Sequence, residues 1–166
     1  MSIAWHLAAF LAAMAAALVF TTFVEYTVHR LMHWGFLYGR GHRRHHQSNE
    51  SRTFAHDLMD YGVPAIMVCW PVLLISLPAG LGWMAGVLLY AMLASYSHQL
   101  QHANADLVFW MASPVHHLHH VQDMSGHNFG VLVDWWDRLF RTYRGAARPP
   151  SVQPRRWRNY LAIPWR

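Results

Sequence analysis

Charged side chains are absent from Met1 to Val24 and again from Tyr61 to Ala105. Each stretch exceeds the roughly 20 helical residues that cross a hydrocarbon core. The second is long enough to cross twice, so the pattern predicts three transmembrane helices, at about Ile3–Glu25, Leu58–Leu77 and Leu81–Leu100. Pro78, Gly80 and Gly82 read as an uncharged hairpin joining the last two. Pro64, Pro71 and Pro78 make the second span the least regular, as membrane helices tolerate when neighbours satisfy the freed carbonyls. Asp106 to Val115, with Pro114 near its end, is too short for a fourth span and reads as an interfacial or re-entrant element.

Composition agrees. Of 166 residues, 54% are hydrophobic and only 13% charged, about half the charge of a soluble domain. The length suits one domain, and the expected class is an all-α integral membrane protein: about three transmembrane helices carrying a cytoplasmic-side, histidine-rich, metal-binding cap. The arginines orient it. Arg30, Arg40, Arg43, Arg44 and Arg52 follow the first span, and Arg138, Arg141 and Arg144 lie beyond the third. The positive-inside rule places both groups, and with them the C-terminus, in the cytoplasm. The expected location is a bacterial inner membrane.

A cleaved signal peptide is disfavoured, because the N-terminal segment has no positive n-region and its apolar run is too long. The net charge of +5 comes from arginines bordering spans, which points to anionic lipid head groups and not to nucleic acid. The tail, residues 145–166, mixes Arg148, Pro150, Pro154, Arg155, Arg156, Trp157, Arg158 and Trp165. It reads either as a membrane-interface segment or as a partly disordered terminus. Cys69 is the one cysteine, which excludes disulfide frameworks, iron–sulfur clusters and a C-x-x-C-H haem site.

Any metal must then use other ligands, and there are 14 histidines. His29 and His33 form H-x-x-x-H, and His42, His45 and His46 form H-x-x-H-H; His98 and His102, then His116, His119 and His120, repeat both patterns. On a helix, spacings of three and four place side chains on one face, and neutral imidazole is the commonest protein metal ligand. These ten histidines suit two metal ions in one shared site. Two spans between the halves return all four clusters to one membrane face.

Carboxylates are scarce among the clusters, unlike di-iron bundles built on Glu and Glu-x-x-His, and no H-E-x-x-H marks a zinc protease. Glu25, four residues before His29, either orients that imidazole or caps the span at the interface. Asp57, Asp106 and Asp123 are further candidates for orienting ligands. His56, His117, His127 and Asn128 are further candidates for orienting ligands, His56 and His127 also for gating substrate, although His117 should point off the ligand face if its segment is helical; His6 is a bystander near the opposite interface. Trp34, Phe36, Tyr61, Trp70, Met92, Tyr96, Phe109 and Trp110 either pack helices or line an apolar channel.

From Thr22 to Arg144 the chain resembles the fatty acid hydroxylase and sterol desaturase superfamily. The four histidine motifs stand in order, followed by Asn128-Phe129-Gly130 and by Trp136-Asp137-Arg138-Leu139-Phe140-Arg141-Thr142-Tyr143, which is similar to that family's closing signature. Arg141 stands where the family usually has glycine. Met32-His33, His42-Arg43-Arg44-His45-His46 and Phe54-Ala55-His56-Asp57-Leu58 also resemble bacterial carotenoid hydroxylases, although the three-residue spacers and the closing signature fit the sterol desaturase branch better.

The resemblance implies two iron ions, O2 as co-substrate and a lipid that approaches from the bilayer and is hydroxylated or desaturated. Because the chain has no nucleotide, haem or iron–sulfur motif, it also implies a separate electron donor protein, which the arginine-rich face could attract if acidic. Imidazole serves zinc as well as iron, so zinc is possible in the protein as isolated. The reading from another class is a non-catalytic membrane protein that binds or transports zinc or copper. Transport would favour ligands near mid-bilayer, not at one face.

Overall fold

A computed structural model describes residues 2–49, 51–122, 125–147 and 156–165. Asp123 and the tail residues Arg148, Pro150, Pro154, Arg155 and Arg166 lie outside the described residues. Those described are all-helical, with no strand among them.

Helix α1, Ile3–His33, has 31 residues, about 46 Å at 1.5 Å per residue. It therefore continues well past the predicted end at Glu25, and its last two turns carry His29 and His33. Its first turn is capped by Ser2, whose hydroxyl accepts the Trp5 N–H. Beyond Trp34 the chain turns at Gly35 (φ +86°), Leu37 (φ +38°) and Tyr38 (φ +30°) into α2, Gly39–Ser48. Helix α3, Phe54–Cys69, runs into a 3₁₀ segment, Trp70–Leu74. Helix α4, Leu77–Ala103, is the second long helix, with 27 residues. Helices α1 and α4 are both long and apolar enough to cross a membrane.

The two long helices run in the same direction. A Cβ added at Gly82 would collide with the Phe10 carbonyl, and one at Gly86 would collide with the Met14 carbonyl and the Ala17 side chain. Only glycine allows so close a backbone approach. Further along, the Tyr90 hydroxyl reaches Glu25 at 2.6 Å. Parallel helices require the chain between them to return the other way, and α3 with its 3₁₀ extension does so, packing through Cys69 against Ala17 and Val87.

One expectation needs correction, and two gain detail. The hairpin lies at Ile75–Ser76, ahead of the predicted Pro78, Gly80 and Gly82, all of which belong to α4. Proline has no N–H to leave unsatisfied in a first turn, so Pro78 starts the helix instead of breaking it. The irregularity expected of the second predicted span is present, since its α-helix gives way to 3₁₀ at Trp70, next to Pro71. Finally, the Asp106–Val115 segment contributes to a core: Leu107, Val108, Met111 and Val115 are buried with Leu100 and Ile163. Ile163 belongs to the tail, whose described part docks through Phe54 N–H to Pro164 O (2.7 Å) and Tyr96 hydroxyl to Tyr160 O (2.9 Å). Trp157 nevertheless stays exposed. The remaining short helices are α5, Val115–Val121, α6, Trp135–Leu139, and α7, Trp157–Tyr160.

Candidate metal centre

The last turns of α1 and α4 present His29, His33, His98 and His102 at one end of the bundle. Helix α2 is divided by its own sequence: His42, His45 and His46 turn inward, while Arg40, Arg43 and Arg44 are exposed. Helix α5 adds His116, His119 and His120, all buried. Its N-terminus is held by Gln101, whose side-chain oxygen accepts the His116 N–H at 2.9 Å and the His117 N–H at 3.3 Å.

The imidazoles form two groups. His29, His33, His42, His46 and His119 make one, and His45, His102, His116 and His120 the other; within each, one ligand nitrogen per residue lies within 4.8 Å of all the rest. His98 stands beside the second group, its Nε2 3.2 Å from that of His45. In the first group four Nε2 atoms close into a ring: His33 to His119 2.8 Å, His119 to His46 3.1 Å, His46 to His42 3.1 Å and His42 to His33 2.9 Å. A square with edges of about 3 Å has its centre roughly 2.1 Å from each corner, the length of a metal–imidazole bond. The groups adjoin, since His46 of the first stacks on His120 of the second with ring centroids 4.0 Å apart.

Adjacent residues serve different groups. His45 and His46 separate, as do His119 and His120, because consecutive positions on a helix point about 100° apart. The halves of the chain thereby exchange one ligand each. His119 joins a group otherwise drawn from the first half, and His45 joins one drawn from the second.

Three rings are oriented through Nδ1. His29 hydrogen-bonds the Phe129 carbonyl and His119 the His127 carbonyl, each at 2.6 Å, and His98 hydrogen-bonds the buried Asp57 carboxylate at 2.6 Å. Nδ1–H donation leaves the Nε2 lone pair free to face a metal. Among the described residues, Nε2 of His29 and His102 and both ring nitrogens of His116 and His120 are buried with no hydrogen-bond partner. Each such atom costs about 1–3 kcal/mol, and a bound ion would relieve one nitrogen of each ring. This donor set fits metal.

His42 on α2 and His116 and His120 on α5 are held neutral. Burial, then the neighbouring imidazoles of His46 and His33, push His42 down to about 2. Burial and adjacent histidines also lower His116 and His120. For a base with a depressed folded-state pKa, the unfolded chain binds the extra proton. Metal-free protein should therefore lose stability as pH falls below about 6.5, toward the folded value near 2 for His42. Thermal unfolding of chelator-treated protein in detergent should show a lower midpoint at pH 5.5 than at pH 7.5; an equal or higher midpoint would contradict this.

The other candidate residues divide. Glu25 does not touch His29. It accepts the N–H groups of Val131 (2.5 Å) and Leu132 (3.4 Å) and the Tyr90 hydroxyl, and so acts on the loop that carries the Phe129 carbonyl. Asp57 is central, accepting from Gln99 Nε2 (2.6 Å) as well as from His98. His127 contributes its carbonyl. His117 turns away from both groups, with Nδ1 3.2 Å from the Gln101 carbonyl. His56 is exposed beside Arg52 and Asp60. Asn128 (φ +61°) exchanges hydrogen bonds with the Arg144 backbone, both 2.8 Å. Asp106 lies in the 3₁₀ turn Ala105–Leu107.

Sequence reasoning named His127 and Asn128 but missed how the frame around residues 127–132 is held. Asp137 is fully buried and accepts the N–H groups of Phe129 (2.9 Å) and Gly130 (2.8 Å) and the Thr142 hydroxyl (2.7 Å). Burial raises its pKa, and these donors oppose the rise. Ser97 and Gln101 both donate to the Val131 carbonyl at 2.7 Å. The closing motifs thus fix the carbonyls that orient His29 and His119. Arg141 ends this frame at φ +59°, where an L side chain costs about 1–2 kcal/mol. Since Arg141 is exposed, Arg141→Gly should stabilise the protein by up to about 1 kcal/mol net of glycine's added chain entropy. A lower unfolding midpoint would indicate instead that the arginine side chain contributes.

An all-helical chain whose two long apolar helices end in a double polyhistidine cluster defines a class of histidine-rich helical proteins able to hold metal. The model of the family described as fatty acid hydroxylase matches residues 14–142, well over half of the chain. The protein belongs to that family, within the fatty acid hydroxylase and sterol desaturase superfamily. No curated protein and no solved structure matches it.

Proposed function

We propose that the protein is a membrane oxygenase that hydroxylates or desaturates a lipid, with one iron at each histidine group. The observation that carries this reading is the pair of adjoining nitrogen groups, nine histidines in two sets, in a chain of the fatty acid hydroxylase family. Two irons, when bound, would supply from O2 and two electrons the oxidising power to break an unactivated C–H bond. In hydroxylation one oxygen atom ends in the alcohol and the other in water; in desaturation both end in water.

The chain's own groups hold and aim the metals. His29, His33, His42, His46 and His119 would take one ion, and His45, His102, His116 and His120, with His98 beside them, the other. The Phe129 and His127 carbonyls and the Asp57 carboxylate fix ring orientation, and burial keeps bulk water from the imidazoles. Helix α3 with its 3₁₀ extension is the third crossing, and the site and C-terminus face the cytoplasm. Electrons come from a separate donor, for which the exposed Arg40, Arg43 and Arg44 of α2 offer a basic docking face.

Anaerobically purified protein should contain about two metal ions per chain by elemental analysis, iron predominating when iron is supplied. Folded protein with one ion or none would overturn the two-ion reading. Two zinc ions with no lipid product in iron-replete cells would favour a non-catalytic zinc protein.

A further inference from the structure

Helix α1 has a second face that the metal centre does not use. Ala15, Ala16, Val19, Phe20 and Phe23, with Trp136 of α6, line a groove of about 580 Å³ that is almost wholly apolar. Phe23 also begins an adjoining recess of about 180 Å³, which continues through Tyr26, Thr27, Arg30, Leu31 and Trp34 to Phe140. The lining positions advance by three and four, so groove and recess form one stripe along one side of a membrane-length helix. The stripe is greasy for three turns and then meets a cation.

That cation is set in place. Arg30 Nη1 donates to the Tyr26 hydroxyl at 3.1 Å, itself 3.0 Å from Thr142 Oγ1. Its guanidinium carbon lies 5.5 Å from the ring centroid of Tyr26, 5.2 Å from Trp34 and 5.6 Å from Phe129. Its Nε is buried with no hydrogen-bond partner. Arg52 and Arg138 have Asp60 and Asp134, whereas Arg30 has no carboxylate partner among the described residues. A half-buried guanidinium held by aromatic rings, with an unused donor and no counter-ion, suits a phosphate oxygen.

We propose that this face of α1 is a binding site for an anionic phospholipid, with an acyl chain along Ala16, Val19 and Phe23 and the head-group phosphate at Arg30. The occupant is a bilayer lipid because the groove opens where Val19 and Phe20 are 49% and 46% exposed on a helix long enough to span. A phospholipid is the amphiphile that forms the bilayer itself, and its phosphate would meet Arg30 where the apolar stripe ends; a free fatty acid is an outcome of the test. The Phe129 ring separates the site from the metal centre, packing on His29 at 5.6 Å and on His33 and His119 at 5.7 Å. The proposal therefore stands whether or not the oxygenase reading does.

Native mass spectrometry of the detergent-solubilised protein tests it, using dioleoylphosphatidylglycerol, dioleoylphosphatidylcholine, oleate and glycerol 3-phosphate as probes. Wild type should retain phosphatidylglycerol about fivefold or more over phosphatidylcholine, and Arg30→Gln should remove that preference. Arg52→Gln, at a paired and exposed arginine, should leave it intact. Ala16→Phe, at an exposed position remote from the histidines, should lower retention by filling the groove, and it keeps the test valid should Arg30→Gln fail to fold. Equal retention of the two phospholipids overturns the proposal. So does an unchanged preference in folded Arg30→Gln or unchanged retention in Ala16→Phe. Oleate displacing phosphatidylglycerol at equal concentration would make this a fatty-acid site, and glycerol 3-phosphate binding as tightly as the lipid would make it an anion site; either overturns it.

Discussion

Replacing His119 with alanine should reduce lipid product to below about one hundredth of wild type, and His45→Ala should do the same. His119 closes the Nε2 ring through its contacts of 2.8 Å to His33 and 3.1 Å to His46, so its loss opens one side of the first group. His45 is the member of the second group that comes from α2. Neither change touches the apolar helices, and both variants should insert as wild type does. His6→Ala, near the opposite end of α1, serves as the control. Because the ligands act as a unit, the double variant should be no worse than either single one. Mass spectrometric lipid profiles of cells expressing each variant, read beside metal content, decide this. Near-normal product and metal in His119→Ala would show that the first ion needs nothing from the second half.

Asp57→Ala should weaken one ion and spare the other. The carboxylate lies 2.6 Å from both His98 Nδ1 and Gln99 Nε2, and its removal leaves two buried donors without that acceptor. Loss of such an orienting partner typically costs 10–100-fold in metal affinity or activity. Because His98 borders only the second group, metal titration should show one weakened site and one unchanged. Asp57→Asn, which keeps an oxygen acceptor but not the charge, should fall between. Equal loss at both sites would mean that Asp57 supports the bundle as a whole.

The ten histidines were legible because ligand spacing on a helix is local: His29 and His33 share a face whatever lies around them. Their convergence was legible too, since two parallel long helices put their C-terminal ends together. The partition between groups was not. That His45 leaves His42 and His46 to join His102 depends on how α2 crosses the ends of α1 and α4, which no periodicity encodes. Glu25 shows the same limit. Its position one turn before His29 offered either a hydrogen bond to that ring or a cap at the interface, but the carboxylate reaches loop N–H groups more than 100 residues away in sequence. Backbone carbonyls are invisible in a sequence, so the acceptors for His29 and His119 had no signal beyond the closing motifs around them. Pro78, Gly80 and Gly82 misled because the residues that make turns also start helices and permit close helix packing.

The crossed placement of His45 and His119 would make an ion bound at either group a rivet between the two halves of the chain. Each group includes one ligand from the other half, so the free energy of metal binding would also be free energy of assembly. Loss of metal would loosen the grip of α2 and α5 on each other as well as remove the chemistry, and a cell that withholds iron would be left with a less tightly fastened protein.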